Sequence, residues 1–541
     1  MDDITTATRG PGKCSKAGRL TLDFANIFKA FIGTNYLAAA FNFSQSGLVL
    51  GAIGMVIIAT AAVHCCHLIV TCKKLAIRKI LELQDSNNDA ALNPTQLKLR
   101  KRIERRLTYG DIAWVAAGQM GLALVNFGLV VTQFGFCVGY YIFLGNTLSN
   151  FFPLVEETIS FPSVTLSPSI THNSTVTPAV TSADNSHVSF SGTTTHSVTK
   201  NSSSFDPSLH HSGPASMYYI IVASLIPIFA IFALLRNIRQ LGSSSLVANI
   251  SVLVGYVAVL GFILSDFHVS DSIELYRWAT FPIFFGGVTA GYEGIGTIIP
   301  IESSMEENRK YYPHLLYAAT ILFTFVLASL GILGYLHYGD DVQQIVIWNL
   351  PVDSVLSYLV NSVICIGILF TFPLQNFPVI DIFEELLFAQ GRICGPASVE
   401  QVSTNDKKTF DESSPLLNTS GEIQEDKEMA EILEKLPVAA VIPDSVPAWK
   451  RNMLRCFIVI LQAGVAVIFR NDFAYFMSFV GALGSTTLGY IVPCFTHIRL
   501  GGQRLGWPII TKDVAIILLG IVGGAASVYA SVVAIINNAS I

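Results

Sequence analysis

The chain has 541 residues, of which 51% are apolar and only 13% are charged. Long apolar runs in such a composition indicate a polytopic membrane protein rather than a series of soluble domains. The net charge of −5 gives no reason to expect a nucleic-acid partner. The nine cysteines show no metal-ligand spacing, and no nucleophile–base motif is visible. We therefore expect neither an enzyme nor a bound metal or cofactor.

Eleven apolar segments follow one another along the chain, and they predict an all-α fold with eleven transmembrane helices. With a cytosolic amino terminus, an odd number of helices places the carboxyl terminus on the opposite face of the membrane. In chain order the segments are residues 24–50, 50–70, 112–148, 218–235, 246–264, 281–302, 315–336, 355–387, 455–468, 473–495 and 514–536.

The distribution of basic residues gives the orientation. Residues 73–109 hold ten of the 33 basic residues of the chain, which assigns this basic loop to the cytosol. A nucleic-acid patch is the competing interpretation, but neither a soluble domain nor interleaved aromatic residues support it. Residues 1–20 are predicted to be a disordered cytosolic tail, and residues 21–541 to form one transmembrane domain.

Residues 151–214 have a different composition from the rest of the chain. Of these 64 residues 25 are Ser or Thr, one is Lys and none is Arg. Asn173 and Asn201 begin glycosylation sequons. The absence of basic charge together with the sequons predicts a glycosylated loop in an organelle lumen or outside the cell.

Residues 388–449 are rich in Ser, Asp, Glu and Lys and are predicted to be a largely disordered cytosolic loop. Within it Glu412, Leu416 and Leu417 match an acidic dileucine sorting signal. Such a signal would be read by a clathrin adaptor. It predicts a lysosomal, vacuolar or other endomembrane location, with the plasma membrane as the alternative.

The sixth segment, residues 281–302, holds five glycines and the carboxylate of Glu293 in its middle. Glycine weakens a helix, and freed backbone groups in lipid are tolerated only where protein or a polar cavity satisfies them. A carboxylate inside the membrane usually marks a pathway. We therefore predict a broken helix whose exposed backbone forms a binding site. The alternative is a small-residue face for helix packing, with Glu293 as a structural hydrogen-bonding group.

The first segment is interrupted in the same way, and each of the two segments begins a group of five. A matched pair of this kind indicates a 5+5 inverted repeat with a site at the midplane, followed here by one further helix. Half-helix N-termini attract a carboxylate and unwound carbonyls attract an ammonium group, so an amino-acid zwitterion fits such a site. The candidate binding residues are Ile32, Gly33, Thr34, Asn35, Thr289, Ala290, Gly291, Tyr292 and Gly294.

Three side chains near these breaks suggest how an ion could take part. Burial disfavours the ionised form of a carboxyl, which makes Glu293 a candidate proton acceptor, although it could equally brace the broken helix. Thr371 in the eighth segment is a possible ligand of a cation such as sodium, facing carbonyls of the first segment. Lys29 is expected to extend its ammonium group to the cytosolic interface.

Several short stretches occur in an order that is typical of a known family. They are Phe31-Ile-Gly-Thr34, Ser46-Gly-Leu-Val-Leu-Gly51, Thr108-Tyr-Gly-Asp111, Thr132-Gln-Phe-Gly-Phe136, Tyr292-Glu-Gly-Ile-Gly296, Pro300-Ile-Glu302, Leu333-Gly-Tyr-Leu336, Asn349-Leu-Pro351 and Val480-Gly-Ala-Leu-Gly-Ser485. Together they resemble the amino acid/auxin permeases, especially the proton-coupled amino acid transporters of animals and the vacuolar amino acid transporters of fungi. The resemblance implies a LeuT-like fold and transport of neutral amino acids, often with protons.

The chain departs from the pattern of these relatives at three positions. Asn35 stands where the family usually has a second glycine, and Ala40 where it has a proline. The Asn35 side chain would enter the expected pocket and restrict the substrate. Asn26 replaces a histidine that is common in animal members, which leaves proton coupling open.

The sequence thus predicts a transporter domain over residues 21–541, which moves small neutral amino acids by alternating access, coupled to protons. Two alternatives stay open. One is an amino-acid sensor with little flux, and the other is a sodium-coupled transporter.

We predict that the 151–214 loop is glycosylated. Changing Asn173 and Asn201 together to Gln should abolish the mobility shift that a glycosidase causes on a gel. Asn249→Gln is the matched control, because the sequon at Asn249 falls in a predicted span and should not be used. A shift that survives in the double variant would contradict the assignment.

Overall fold

The computed structural model describes residues 16–81, 100–101, 103–151, 215–234, 242–351, 354–389 and 446–539. Within these ranges the regular structure is helical and contains no β-strand, which confirms the predicted all-α class. Nine helices of this part of the chain are long and apolar enough to cross a membrane. The predicted glycosylation and sorting residues Asn173, Asn201, Glu412, Leu416 and Leu417 lie outside the described residues.

We number the α-helices in chain order. They are α1 (Lys16–Phe31), α2 (Ala39–Ser46), α3 (Leu48–Ile80), α4 (Tyr109–Ser149), α5 (Ala215–Leu234), α6 (Gly242–Ser265), α7 (Phe281–Gly291), α8 (Ile295–Ser304), α9 (Tyr312–Tyr338), α10 (Val355–Phe388), α11 (Ala448–Ile468), α12 (Phe473–Val480), α13 (Val492–Gly501) and α14 (Trp507–Ala539).

The first predicted span is broken into two helices. After α1 the chain passes through Gly33 in an extended conformation and a 3₁₀ turn, Thr34–Ala38, before α2 begins. The helix starts at Lys16, so residues 16–20 of the predicted disordered tail are helical. Gly47, with a φ of 76°, separates α2 from α3, because this left-handed conformation costs glycine little.

The sixth predicted span is broken at the position that its glycines and Glu293 indicated. Pro282 lies in the first turn of α7, where a missing N–H costs nothing, and α7 ends at Gly291. Residues 292–294 leave helical geometry, and α8 resumes at Ile295. The two breaks thus divide spans one and six into half-helices.

A third irregularity lies between α12 and α13, where the chain is π-helical over Gly481–Ser485 and Thr487–Ile491. A Cβ atom on Gly481 would collide with the carbonyl oxygen of Gly286. Glycine at position 481 therefore lets the π-helical segment lie directly against α7.

The basic loop predicted over residues 73–109 begins later than expected, because α3 continues to Ile80. The reason is a buried ion cluster. Lys73 Nζ lies 2.7 Å from Glu302 Oε2, and both side chains are only 1% exposed. Arg309 joins the cluster through Glu302 Oε1 at 2.9 Å and Glu104 Oε1 at 2.6 Å. This Lys73 cluster holds the end of α8 against α3.

A second ion cluster lies at the other end of α3, where Leu48 N–H donates to the carbonyl of Glu274. Arg277 contacts Glu274 Oε2 at 3.0 Å and Asp340 Oδ1 at 2.9 Å, and donates to the carbonyl oxygen of Ser44 at 2.8 Å. The hydrogen bond from Arg277 lowers the pKa of the Glu274 carboxyl below its usual range. This Arg277 cluster ties α2 and α9 to the segment that precedes α7.

We predict that the Lys73 cluster is required for stability. Glu302→Gln leaves the Lys73 ammonium buried without its carboxylate, which should lower the free energy of unfolding by about 3–5 kcal/mol. The melting temperature of the purified protein measures this. The matched control is Glu274→Gln, because Glu274 is 53% exposed and its loss should leave the melting temperature nearly unchanged. Equal melting temperatures for the two variants would contradict the prediction.

Candidate functional site

A cavity of about 340 Å³ lies between the two helix breaks. This volume is in the range of small-molecule sites, roughly 300–1,000 Å³. Its wall is built from α1, α4, α6, α8, α10 and the residues at the breaks. Of the residues predicted from sequence it contains Ile32, Gly33, Asn35, Ala290, Glu293 and Thr371.

The two breaks are in direct contact. The Nδ2 atom of Asn35 donates a hydrogen bond of 2.9 Å to the carbonyl oxygen of Ala290 at the end of α7. A Cβ atom on Gly294 would lie only 2.6 Å from the carbonyl oxygen of Ala30, so only glycine allows this approach. The first and sixth spans therefore share one polar region in the interior of the helix bundle.

Other predicted binding residues do not line this cavity. Tyr292 turns towards α9, where its hydroxyl lies 2.7 Å from Thr324 Oγ1 and its ring packs edge-on against Phe323. Thr289 and Tyr292 instead line a much smaller cavity, which also has Glu293 in its wall. Gly291 and Gly294 shape the break but line neither cavity. Thr34 begins the 3₁₀ turn.

Glu293 is held by an amide rather than by a cation. Its Oε2 atom accepts a hydrogen bond of 3.3 Å from Gln133 Nε2 on α4. Its Oε1 atom is buried without a hydrogen-bond partner among the described residues. A carboxyl in this setting can brace the broken helix and can also exchange a proton with the cavity, so both predicted roles are compatible with the geometry.

Polar residues outside the predicted binding set complete the cavity wall. Asn26, Asn249, Thr297 and Gln375 line it, and so does the half-buried Lys29. The expectation that Lys29 extends its ammonium group to the cytosolic interface stays a prediction. The Thr371 hydroxyl donates to the carbonyl of Gly367 in its own helix at 2.8 Å, so a cation could use only its remaining oxygen lone pairs.

Backbone groups add fixed partial charges to the site. Gly294 precedes α8 and Gly33 precedes the 3₁₀ turn, and neither provides a side-chain cap for the N–H groups that follow. These N–H groups carry partial positive charge, whereas the carbonyls at the ends of α1 and α7 carry partial negative charge. The cavity can therefore bind both ends of a molecule that has an anionic and a cationic group.

Comparison with known proteins agrees with this geometry. The sequence profile of the family described as transmembrane amino acid transporter protein matches residues 94–181 and 184–533. The amino acid transporter AVT3B of Arabidopsis thaliana is 25% identical over 521 residues, which cover 95% of this chain and 93% of the relative. Vacuolar amino acid transporter 4 of Saccharomyces cerevisiae is 29% identical over 322 residues, which cover 58% of this chain and 40% of the relative. The chain is an integral membrane protein and belongs to the transmembrane amino acid transporter family.

Proposed function

We propose that this protein is a secondary active transporter that moves small neutral amino acids across a membrane in exchange with or together with a proton. The observation that carries the proposal is the cavity between two touching helix breaks, which has Gly33 and Ala290 of the two breaks and Glu293 in its wall. A zwitterion can use the N–H groups for its carboxylate and the carbonyls for its ammonium group.

The architecture supports a LeuT-like arrangement of eleven spans. Nine long helices of the described chain, with α12, the π-helical segment and α13 counted as one, and the two broken spans, α1–α2 and α7–α8, together give eleven. The broken spans occupy the first and sixth positions, as expected if two groups of five spans form an inverted repeat and α14 is the additional helix.

The wall of the cavity favours a small neutral substrate. Lys29 and Glu293 are its charged side chains, so an ammonium and a carboxylate are both accommodated without a net charge on the substrate. The Asn35 side chain is already engaged with Ala290, and the aromatic residues Phe136 and Tyr140 limit the space further. These features leave room for a short side chain on the amino acid.

Alternating access would open the cavity to each face in turn. The cavity extends from the breaks past Lys29 on α1 and Ile301 on α8, towards the end that carries the Lys73 cluster. The predicted orientation makes this end cytosolic. The Arg277 cluster closes the opposite end by joining α2 to the segment before α7. We therefore assign this conformation to the cytosol-facing half of the cycle.

The relatives and the sequence support a proposal for the membrane and the partners. Two relatives from Saccharomyces cerevisiae are named vacuolar amino acid transporters, which supports a vacuolar, lysosomal or other endomembrane location. The dileucine pattern at Leu416 and Leu417 fits recognition by a clathrin adaptor on the way to that membrane. A lipid bilayer, an amino acid and a proton are then the remaining partners.

We predict that Gly33→Leu blocks transport without preventing folding. A Cβ atom at Gly33 has nothing within 4 Å, so a larger side chain would occupy the cavity instead of clashing with the protein. Uptake into proteoliposomes should fall at least about tenfold, a cost of about 1.4 kcal/mol. Gly33→Ala is the control and should retain most of the activity. Normal transport by Gly33→Leu would show that substrate does not pass this position.

We predict that Glu293→Gln uncouples transport from the proton. The amide keeps the shape and can keep the contact with Gln133, but it cannot release a proton. The variant should bind and exchange amino acids, while accumulation driven by an imposed pH gradient should be lost. Gln133→Glu is not suitable as a control, because it would place a second carboxyl against Glu293.

The same assay distinguishes the alternatives. Accumulation by Glu293→Gln under a pH gradient would show that Glu293 is a brace and that the proton is carried elsewhere. Accumulation that follows a sodium gradient and is lost in Thr371→Val would support sodium coupling. Amino-acid binding without any flux in the unmodified protein would support the sensor.

A further inference from the structure

A second cavity, of about 10 Å³, has Glu293 in its wall as well. Its volume is close to the smallest that holds a water molecule, about 10–15 Å³. Residues of α3, the broken span and the π-helical segment enclose it, with Ala62, Thr289, Ser485 and Tyr490 around Glu293. It is distinct from the large cavity, which the proposed function uses for the substrate.

Four residues of this wall each have an oxygen atom that is buried and makes no hydrogen bond of ordinary geometry to a described residue. These atoms are Thr289 Oγ1, Glu293 Oε1, Ser485 Oγ and Tyr490 OH. The three hydroxyl residues are each at most 3% exposed, so bulk water does not satisfy them. Buried polar atoms are nearly always hydrogen-bonded, and four exceptions around one water-sized cavity point to a common partner.

We propose that this cavity binds one ordered water molecule that joins Glu293 Oε1 to the hydroxyl groups of Thr289, Ser485 and Tyr490. A water molecule donates two hydrogen bonds and accepts two, which equals the number of unsatisfied oxygens. With Glu293 ionised, the water donates to Oε1 and to Thr289 Oγ1, and it accepts from the hydroxyls of Ser485 and Tyr490.

The chemistry of the four atoms favours water over a sodium ion. A cation takes only lone pairs, so each of the three hydroxyl hydrogens would have to point away from it. None of the three hydroxyl oxygens makes a hydrogen bond of ordinary geometry to a described residue. Water accepts from Ser485 and Tyr490 while it donates to the other two oxygens. The one hydroxyl hydrogen that remains, that of Thr289, can be donated to the neighbouring Tyr490 oxygen.

The π-helical segment explains how the site is built. Ser485 is the last residue of the first π-helical stretch, and Tyr490 lies in the second stretch. The wider π turn brings both hydroxyls to the same cavity wall, against the end of α7. Such π-bulges recur at functional sites. Here the close contact between Gly481 and Gly286 sets the distance between the π-helical segment and the broken helix.

The site gives Glu293 a second hydrogen-bonded neighbour besides Gln133. Hydroxyl groups and water can each reverse the direction of a hydrogen bond, so the network satisfies both the ionised and the protonated carboxyl. This part of the inference rests on the proposed proton coupling. Ser485 and Tyr490 are then positioning residues, which hold the water that stabilises Glu293 in either state.

The water itself is tested by structure determination of the full chain at a resolution that shows ordered water. One data set is collected in sodium buffer, one in choline buffer and one with thallium, which is seen by its anomalous scattering. We expect a peak within hydrogen-bond distance of all four oxygens in sodium and in choline, and no thallium peak. A site without density, or a peak that requires sodium or accepts thallium, would overturn the proposal.

The role in coupling is tested with Tyr490→Phe, which removes one hydroxyl and little else. Proton-driven accumulation should fall by roughly 2- to 10-fold, the effect of losing one hydrogen bond of ordinary strength. Amino-acid exchange should be unchanged. Tyr141→Phe is the matched control, because the Tyr141 hydroxyl is also buried and unpaired among the described residues but lies outside the small cavity.

The Glu293→Gln background separates a role of the Tyr490 hydroxyl in coupling from a role in stability. Proton-driven accumulation is already lost there, so amino-acid exchange is measured instead, and Tyr490→Phe should leave it unchanged. An equal loss of exchange with and without the carboxyl would show that the Tyr490 hydroxyl acts only on stability. If the unmodified protein shows no proton coupling, the proposed function fails, while the density at the four oxygens still decides whether the water is bound.

Discussion

The structure depends on how backbone groups freed at the two helix breaks are satisfied inside an apolar bundle. Lipid offers no hydrogen bonds, so a broken helix is stable only where another part of the protein or a polar cavity replaces them. Here the breaks satisfy each other in part, through the bond from Asn35 Nδ2 to Ala290 O. Gly33 and Ala290, which lie at the two breaks, line the large cavity, so the breaks and the cavity occur together.

Glycine and serine packing fixes the broken sixth span in place. A Cβ atom on Gly286 would collide with Ser478, and the Ser478 hydroxyl donates to the carbonyl of Ile283 at 2.7 Å. Ser527 and Ser531 of α14 lie 3.2 and 3.1 Å from the same hydroxyl. Because small residues allow such close approach and serines hydrogen-bond across helices, α7, α12 and α14 form one packed unit. The last helix of the chain thus supports the site although it contributes no residue to the large cavity.

The sequence was sufficient to locate the breaks, because glycine, polar residues and a carboxylate inside apolar segments are local signals. It was not sufficient for contacts between distant residues. Gln133 and Glu293 are 160 positions apart, and Lys73 and Glu302 are 229 apart, so neither pair could be recognised from spacing. The Tyr292 side chain points towards Thr324 of α9, which is 32 positions away, and this contact could not be recognised from spacing either. The π-helical turns were also missed, since their bonding pattern depends on packing against α7 and not on a distinctive composition.

The buried carboxylates of this protein differ in what compensates their charge. Glu302 contacts Lys73 and Arg309, and Glu384 contacts Arg451 and Arg455, each at 2.9 Å or less. These carboxylates lie near helix ends, where a lysine or arginine can reach them from a neighbouring helix. Glu293 receives one amide hydrogen bond instead. A carboxylate stabilised only by neutral groups responds strongly to any charge that enters its surroundings, because the low dielectric screens little. An ammonium group arriving in the adjacent cavity would therefore favour its ionised form, and this is the physical basis on which substrate binding and proton release can be linked.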